Sequence, residues 1–270
     1  NHEIEPTQPF WNTNETNMNK ITKNQAVTTH IGLSMLLVGG LVAVVLLYWY
    51  PWDLLDLQGG AKILLLVIFI DAILGPSLTF LVYKPNKRFL ALDLTVIAMI
   101  QIAALSYGTF TLYQGKVSYL VLLRDKFHTV KQMDLVGEIP FDLMNTQRIG
   151  PYGPYIVETE TQAGSNDFTF ILSALMNDHS PAYIASYYRP FPIDKAKLDK
   201  VSLGLDELPS KIANRVHQIA NKLKIDPKAL VCLPIQGTAK TGVAIFKPDA
   251  VALLDIIADK PIKATEKTTQ

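Results

Sequence analysis

Residues Ile31 to Tyr50 read IGLSMLLVGGLVAVVLLYWY, an apolar run without a charged side chain. Two more apolar runs follow it, from Ile63 to Val82 and from Leu90 to Leu112, and short polar breaks separate the three. A helix needs about 20 mainly apolar residues to cross the hydrocarbon core of a bilayer, and each run reaches that length. The sequence therefore predicts three transmembrane helices, over about residues 31–50, 62–83 and 89–112.

The composition divides the chain into an apolar middle and polar flanks. Of the 270 residues 49% are hydrophobic, and the mean hydropathy is +0.20. Residues 1–29 are rich in Asn, Thr and Gln and contain no apolar run, which predicts a disordered tail without a cleavable signal peptide. We expect a polytopic membrane protein, with three transmembrane α-helices over residues 30–113, an α+β domain over residues 114–262 and a frayed tail over residues 263–270.

The residues after the third run predict both strands and helices. Val117 to Leu123 reads VSYLVLL, which is typical of a buried strand, and we expect Phe127 to Val130 to pair with it. In Asp206 to Lys224 apolar residues recur every three or four positions, which predicts an amphipathic helix. Further strands are expected over Tyr155–Glu160, Ala229–Ile235, Thr241–Phe246 and Val251–Ile257, and a further helix is expected over Asp167–Met176.

Patterns that carry catalytic or ligand chemistry are missing from the sequence. It contains no glycine-rich phosphate loop and no HExxH, GxSxG or CxxC motif. Cys232 is the one cysteine, which excludes an internal disulfide, and the five histidines have no metal-ligand spacing. The formal net charge of +1 provides no basic field for nucleic acid. We therefore expect no cofactor, no metal ion, no nucleic-acid partner and no enzymatic activity.

The charges of the connecting loops predict how the chain crosses the membrane. Lys20 and Lys23 precede the first run, and the loop from Tyr83 to Phe89 carries three cations and no acid. The loop from Pro51 to Gly60 carries two acids and no cation. Because short loops rich in Lys and Arg stay in the cytoplasm, we expect a cytoplasmic N-terminus and a C-terminal domain on the far side of the membrane.

Polar residues inside the second and third runs are candidates for a binding site. Asp71, Gly75 and Thr79 are spaced i, i+4 and i+8, so they share one side of the second helix. Counting inwards from the basic loop places Gln101 at the depth of Asp71, near the middle of the membrane. Pro76 removes a backbone hydrogen bond from the second helix, so we expect a kink just beyond Asp71.

Asp93 is the second carboxyl in the apolar runs, and it lies nearer to the membrane surface. It has the depth of Thr79, close enough to the interface to reach Lys87 or Arg88. A carboxyl is rare in lipid and usually faces a protein partner. We predict that Asp71, Gly75, Pro76, Thr79, Asp93 and Gln101 form a polar interior that binds a partner within the membrane.

Two other readings of the aspartates stay open at this point. Both residues could be buried structural groups, with Asp71 protonated or bonded to Gln101. They could also act as the paired carboxyls of a membrane aspartyl hydrolase, which share a proton. That family places a Gly directly before one aspartate, whereas Ile70 and Leu92 precede the aspartates here, and the two carboxyls lie at different depths.

An aromatic stretch in the C-terminal domain is a second candidate for partner binding. Residues Ala182 to Pro192 read AYIASYYRPFP, with Arg189 among the rings. Tyr and Arg are favoured at protein interfaces, so Tyr183, Tyr187, Tyr188 and Arg189 are predicted to form a contact surface. The alternative is that these rings belong to the core.

Four stretches of the chain resemble one family of bacterial membrane proteins. They read YPWDLLDLQGG, IDAILGPSLTFLVYKPNK, LDLTVIAMIQIAALSYG and LPIQGTAKTGVAIFKPDAVALLDI, within Tyr50–Gly60, Ile70–Lys87, Leu92–Gly108 and Leu233–Ile256. These stretches are similar to the TfpX/TfpZ-type type IV pilin accessory proteins, also called fimbrial assembly protein FimB. The shared features are a Tyr-Pro after the first span, a Gly pair, an Asp followed by Gly-Pro in the second span, a Pro-x-Lys loop, and an Asp and a Gln in the third span.

The resemblance implies an inner-membrane protein of a bacterium that makes type IV pili, with a periplasmic C-terminal domain. Its expected partners are the lipid bilayer and the major pilin, which it would bind while assisting pilin export, stability or pilus assembly. Three alternatives to this function are a membrane-embedded aspartyl hydrolase, a non-catalytic envelope sensor and a structural component of the assembly platform.

Overall fold

A computed structural model of the protein describes residues 22–85, 87–142, 146–159, 180–191, 198, 200–247 and 252–259. The helix predicted over Asp167–Met176 and the frayed C-terminal tail lie outside the described residues, as does most of the predicted N-terminal tail.

Three helices of the described chain are long and apolar enough to cross a membrane, which confirms the predicted fold class. The first span is Lys23–Trp49, the second is Ala61–Val82 and the third is Leu90–Gln114. The first span consists of α1 (Lys23–Val44) and a π-helical turn (Val45–Trp49). Most residues of the three spans face outwards, as lipid-exposed helices do.

The first span begins eight residues before the apolar run predicted at Ile31, so the prediction of a disordered tail is wrong for residues 22–29. Thr22 caps the helix, because its hydroxyl accepts the Gln25 backbone N–H at 3.3 Å. The Gln25 side chain in turn accepts the Thr22 backbone N–H at 2.9 Å. This reciprocal capping box begins a helix ahead of the apolar residues.

The second span changes its hydrogen-bonding pattern in the middle. It consists of α3 (Ala61–Ile68), a π-helical segment (Phe69–Leu74) and α4 (Gly75–Val82). The π segment carries Asp71 and ends where Gly75 and Pro76 begin α4. Because proline has no N–H to donate, the regular helical ladder is interrupted here, and the kink expected just beyond Asp71 stays a prediction.

A mixed seven-stranded sheet follows the third span, which is α5 (Leu90–Gln114), within the described residues. Its spatial order is β4-β3-β1-β2-β5-β6-β7. β1 pairs in parallel with β3, β2 pairs in parallel with β5, and the other neighbours are antiparallel. The strands are β1 (Val117–Leu123), β2 (Lys126–Lys131), β3 (Tyr155–Thr159), β4 (Tyr188–Pro190), β5 (Val231–Gln236), β6 (Thr241–Phe246) and β7 (Leu253–Asp259).

One face of the sheet is covered by the predicted amphipathic helix, and the other meets the membrane spans. The amphipathic helix, named α6 here, spans Ser210–Leu223 and buries Ile212 and Val216 against β5, β6 and β7. On the opposite face, Leu112 of the third span shares one apolar cluster with Leu120 of β1. The core therefore continues from the spans into the sheet.

A short helix that the sequence did not predict makes most of this connection. The break between the first and second spans folds into α2 (Leu54–Gln58), whose Leu54 and Leu57 are fully buried. The Leu57 carbonyl accepts the backbone N–H groups of Ala239 at 2.8 Å and Lys240 at 3.2 Å. Since these donors lie in the β5–β6 turn, α2 is joined to the sheet by backbone hydrogen bonds as well as by apolar packing.

The segment before α2 also closes the exposed edge of the sheet. β7 is the last strand, and the Asp53 carboxylate accepts the Ala258 backbone N–H at 3.0 Å. The Asp53 backbone N–H donates to the Ile256 carbonyl, and Lys211 of α6 donates to the Ala258 carbonyl at 3.0 Å. These contacts occupy edge groups that would otherwise accept a further strand.

His128 is a partly buried titratable group in the middle of the sheet. It lies on β2 between Val121 of β1 and Gln236 of β5, and its Nε2 atom has no hydrogen-bond partner among the described residues. Burial lowers the pKa of His128 to about 4, and the neighbouring Lys126 charge acts in the same direction. The folded protein therefore holds this imidazole in its neutral form.

We predict that Gly237→Ala weakens the attachment of α2 to the sheet. A Cβ atom at this position would lie 2.5 Å from the Leu57 carbonyl oxygen, and this backbone contact cannot be relieved by rotating a side chain. We expect a loss of about 1–3 kcal/mol in the free energy of unfolding, as for other overpacked sites. Thermal unfolding of the full chain in detergent measures this loss of stability. Gly204→Ala is the matched control, because its Cβ would meet nothing nearer than 3.7 Å.

We predict that acid destabilises the fold through His128. The unfolded histidine, with a pKa near 6.5, binds a proton more readily than the folded one, so the free energy of unfolding falls as the pH falls from 6.5 towards 4. At 1.36 kcal/mol for each pKa unit, the loss between pH 7 and pH 5 is about 1–2 kcal/mol after allowance for partial solvent access. The measurement is the difference between wild type and His128→Leu in denaturant titrations. Equal pH dependence in the two proteins would contradict this account.

Candidate functional site

A groove opens between the first and third spans, both of which pack against the second span. It encloses about 330 Å³ and runs from Ala26 to Leu37 on the first span and from Leu94 to Leu105 on the third. At 1.5 Å per residue, each wall extends over about 16 Å, or three helical turns. The residues lining the groove are mainly apolar and include Leu33, Leu37, Leu94, Ala98, Ile102 and Leu105.

Asp71 lies at the floor of the groove and has an unused hydrogen-bonding atom. The residue is 4% exposed, and its carboxyl Oδ2 atom has no hydrogen-bond partner among the described residues. The Gln101 side chain also lines the groove and donates to the Asp71 backbone carbonyl at 3.3 Å. The predicted meeting of Asp71 and Gln101 is therefore present in the fold. A buried acceptor without a donor is costly in an apolar environment.

His30 forms a second polar level of the groove, nearer to the end at which the first span begins. Its Nδ1 atom lies 2.7 Å from the Thr79 hydroxyl, and both residues line the groove together with the buried Ser34. The sequence patterns did not identify His30 and Ser34 as residues of the site. Their i, i+4 spacing shows that they share one side of the first span, but only the packing of the helices shows that this side faces Thr79.

The structure separates Asp93 from the other predicted interior residues. Asp93 forms an ion pair with Lys87 in the connecting loop, as its depth allowed, and it does not line the groove. It precedes Gln101 by eight residues, which places it about 12 Å from Gln101 along the helix axis. Asp93 therefore lies apart from the groove, beside the loop lysine, and its part in partner binding stays a prediction.

Two glycines allow the second and third spans to approach closely. A Cβ atom on Gly75 would overlap the Gln101 amide, and a Cβ atom on Gly108 would overlap a methyl group of Val67. Gly75 and Thr79 are both buried, as their predicted common side requires, and Pro76 is buried as well. Small residues at such contacts are the usual means by which helices associate in membranes.

The aromatic stretch of the C-terminal domain is divided between core and surface. Tyr188 is fully buried, and its hydroxyl donates to the Ala182 carbonyl at 2.6 Å. The predicted contact surface is therefore wrong for Tyr188, because β4 turns this ring into the core next to Tyr119. Tyr183, Tyr187 and Arg189 are partly exposed, and their role in binding stays a prediction.

The groove contains the Asp71 carboxyl but not that of Asp93. Asp71 and Asp93 have different partners at different depths, so they cannot share a proton. Within the described ranges, no cluster of His, Cys, Asp and Glu could hold a metal ion. An elongated, mainly apolar groove with a few polar groups on its floor and walls has a shape and polarity that suit a helix with one or two polar side chains.

Comparison with curated proteins finds fimbrial assembly proteins of Dichelobacter nodosus. The serogroup I and serogroup E1 proteins are each 28% identical over 131 residues, which cover 47% of this chain and 51% of the relative. The protein of serogroups C1 and C2 is 30% identical over 114 residues, covering 41% of this chain and 87% of the relative. The match spans about half the length of the first two relatives.

The other two comparisons add no relative. No family model matches the chain. No solved structure is significantly similar to it.

We predict a rank order of stability for three glycine variants of the spans. Gly108→Ala should be the most damaging, because the stiff, β-branched Val67 cannot move aside; the expected loss is about 1–3 kcal/mol. Gly75→Ala should cost less, because the flexible Gln101 side chain can turn away. Gly39→Ala is the control, since nothing lies within 4 Å of its Cβ position. Apparent melting temperatures in detergent test the order, and equal values for Gly108→Ala and Gly39→Ala would refute it.

Proposed function

Because the chain belongs to the family of fimbrial assembly proteins, we propose that it is a type IV pilin accessory protein that holds the apolar helix of pilin within the membrane. In this proposal the binding site is the groove between the first and third spans. The protein would assist pilin export, stability or pilus assembly without catalysing a reaction.

The observation that carries the proposal is the unpartnered Asp71 carboxyl oxygen at the floor of an open groove. Lipid tails can fill the groove, but they cannot donate a hydrogen bond to this oxygen. A helix with a polar side chain at that depth could fill the same space and satisfy the acceptor. Ionisable residues inside a membrane usually face a protein partner or a water-filled cavity for this reason.

The shape of the groove favours a helix over a small ligand. Its walls extend over about three helical turns, and the third span contributes small or aliphatic side chains on both sides of Gln101. Its polar groups lie at two levels, His30 with Thr79 and Asp71 with Gln101. A helix lying in the groove would meet both levels from one side.

The proposed location is the bacterial inner membrane, with the sheet domain in the periplasm. Lys23, Lys84, Lys87 and Arg88 lie at one end of the spans, whereas Asp53 and Asp56 lie at the other, beside the sheet. The distribution of cations supports a cytoplasmic location for the first of these ends.

A photocrosslinking experiment tests the groove. Ala98 and Ala103 are both exposed residues of the third span, but only Ala98 lines the groove. The five-residue step from position 98 to position 103 rotates the side chain by about 140° around the helix. A photoreactive residue at position 98 should give an adduct of pilin mass in cells that make pilin, and the same residue at position 103 should not. Equal yields at both positions would contradict the proposal.

We predict that the two membrane aspartates differ in their effect on pilin binding. Asp71→Leu should reduce co-purification of pilin about tenfold, because it removes an acceptor whose hydrogen bond contributes on the order of 1–2 kcal/mol in a membrane. Asp71→Asn should retain part of the binding, since its amide keeps an acceptor oxygen.

Asp93→Asn is the control, because Asp93 lies outside the groove. It should leave pilin co-purification near the wild-type level. If Asp71→Leu inserts into the membrane normally and captures as much pilin as wild type, Asp71 has no part in binding.

A further inference from the structure

Two cations, Lys116 and Arg148, lie near the level where the spans leave the membrane on the side of the sheet. The third span ends at Gln114, and Lys116 follows it by two residues. The Tyr48 ring near the end of the first span packs edge-on against Tyr152 at 5.6 Å between centroids. This contact brings the loop that begins after Arg148 down to the end of the first span.

The position of each cation is defined by an aromatic ring. The Lys116 ammonium lies 5.5 Å from the centre of the Tyr113 ring, and the Arg148 guanidinium lies 4.7 Å from the centre of the Tyr155 ring. Arg148 also donates from Nε to the Gly153 carbonyl at 3.0 Å. The Arg148 side chain is therefore held by two contacts, and much of it stays exposed.

Among the described residues, no acid pairs with either cation, Lys116 or Arg148. Asp134, which follows the membrane end of β2, already pairs with Lys131 at 3.1 Å. Burial lowers the pKa of Lys116, and the positive charge of Arg148 lowers it further. The two cations thus repel each other, and a bound anion would relieve that repulsion.

Aromatic side chains around the pair indicate the level of the lipid headgroups. Tyr48 and Tyr152 are exposed, and Trp49 packs against Tyr113 at 5.3 Å between centroids. Tyr and Trp are enriched where a membrane protein passes the headgroup region. The anion nearest to Lys116 and Arg148 would therefore be a lipid phosphate.

We propose that Lys116 and Arg148 form a binding site for the headgroup of an anionic phospholipid, with Tyr48 and Tyr152 packing against its glycerol and upper acyl region. Ammonium and guanidinium groups both form charge-assisted hydrogen bonds to phosphate oxygens. The site is separate from the groove and does not depend on pilin.

Native mass spectrometry of the full chain in detergent tests the site. The protein is titrated with phosphatidylglycerol or with phosphatidylcholine of the same acyl chains. Wild type should retain phosphatidylglycerol in preference to phosphatidylcholine. A cation near a membrane surface contributes roughly a fivefold gain in affinity for anionic lipid, so Lys116→Gln should lose about that factor and Lys116→Gln with Arg148→Gln should lose the preference.

Two control variants separate a lipid site from general effects of charge and folding. Lys222→Gln with Lys224→Gln removes the same charge from the exposed end of α6 and should keep the preference. Arg148→Lys keeps the charge and should retain most of the preference, even if Arg148→Gln disturbs the loop.

Three results would overturn the proposal. The first is a wild-type protein without preference for phosphatidylglycerol. The second is an unchanged preference in Lys116→Gln. The third is displacement of the lipid by equimolar inorganic phosphate, which would show a site for the free anion instead of a lipid headgroup.

Discussion

The five residues of α2 lie between the first and second spans and pack directly on the sheet, so they determine how the spans stand relative to the C-terminal domain. Leu54 and Leu57 are fully buried in a cluster that also contains Leu112 and Leu233. Tyr50 strengthens the same region, because its hydroxyl donates to the Leu112 carbonyl at 2.7 Å and thereby joins the first and third spans. Buried apolar packing and backbone hydrogen bonds act together at this level, so movement of a span would disturb the sheet.

In the half of the bundle far from the sheet, the first and third spans do not pack against each other, and this leaves the groove open. There the first and third spans both rest on the second span but diverge from each other, leaving Asp71 and Thr79 at the floor. If Asp71 were purely structural, an apolar residue would fill its place at lower cost, because burying an unpaired polar atom is unfavourable. In the proposed function, a pilin helix in the groove would complete the hydrogen bonding of this oxygen.

The sequence predicted those features that depend on long local patterns. The three spans follow from apolar runs of sufficient length, and α6 and most strands follow from periodicity and β-branched composition. It did not predict α2, because LLDLQ is too short to show a period and is stabilised by contacts with Gly237 and Ala239 far along the chain. His30 was missed for a related reason, since the side of a transmembrane helix that faces a partner depends on tertiary packing. Aromatic composition alone likewise could not place Tyr188 in the core.

The two halves of the bundle together limit where a partner helix can bind. At the sheet end, Val45, Tyr50, Leu54 and Leu112 are buried in one continuous cluster, so no helix can enter between the spans there. The groove begins at Ala26 and ends at Leu37, which confines it to the half of the first span that starts at Lys23. A pilin helix in the groove would therefore be held along the half of its span nearest the basic loop. Its remaining half would stay in lipid beside the closed end, where it could leave the groove sideways without disturbing the contacts that join the spans to the sheet.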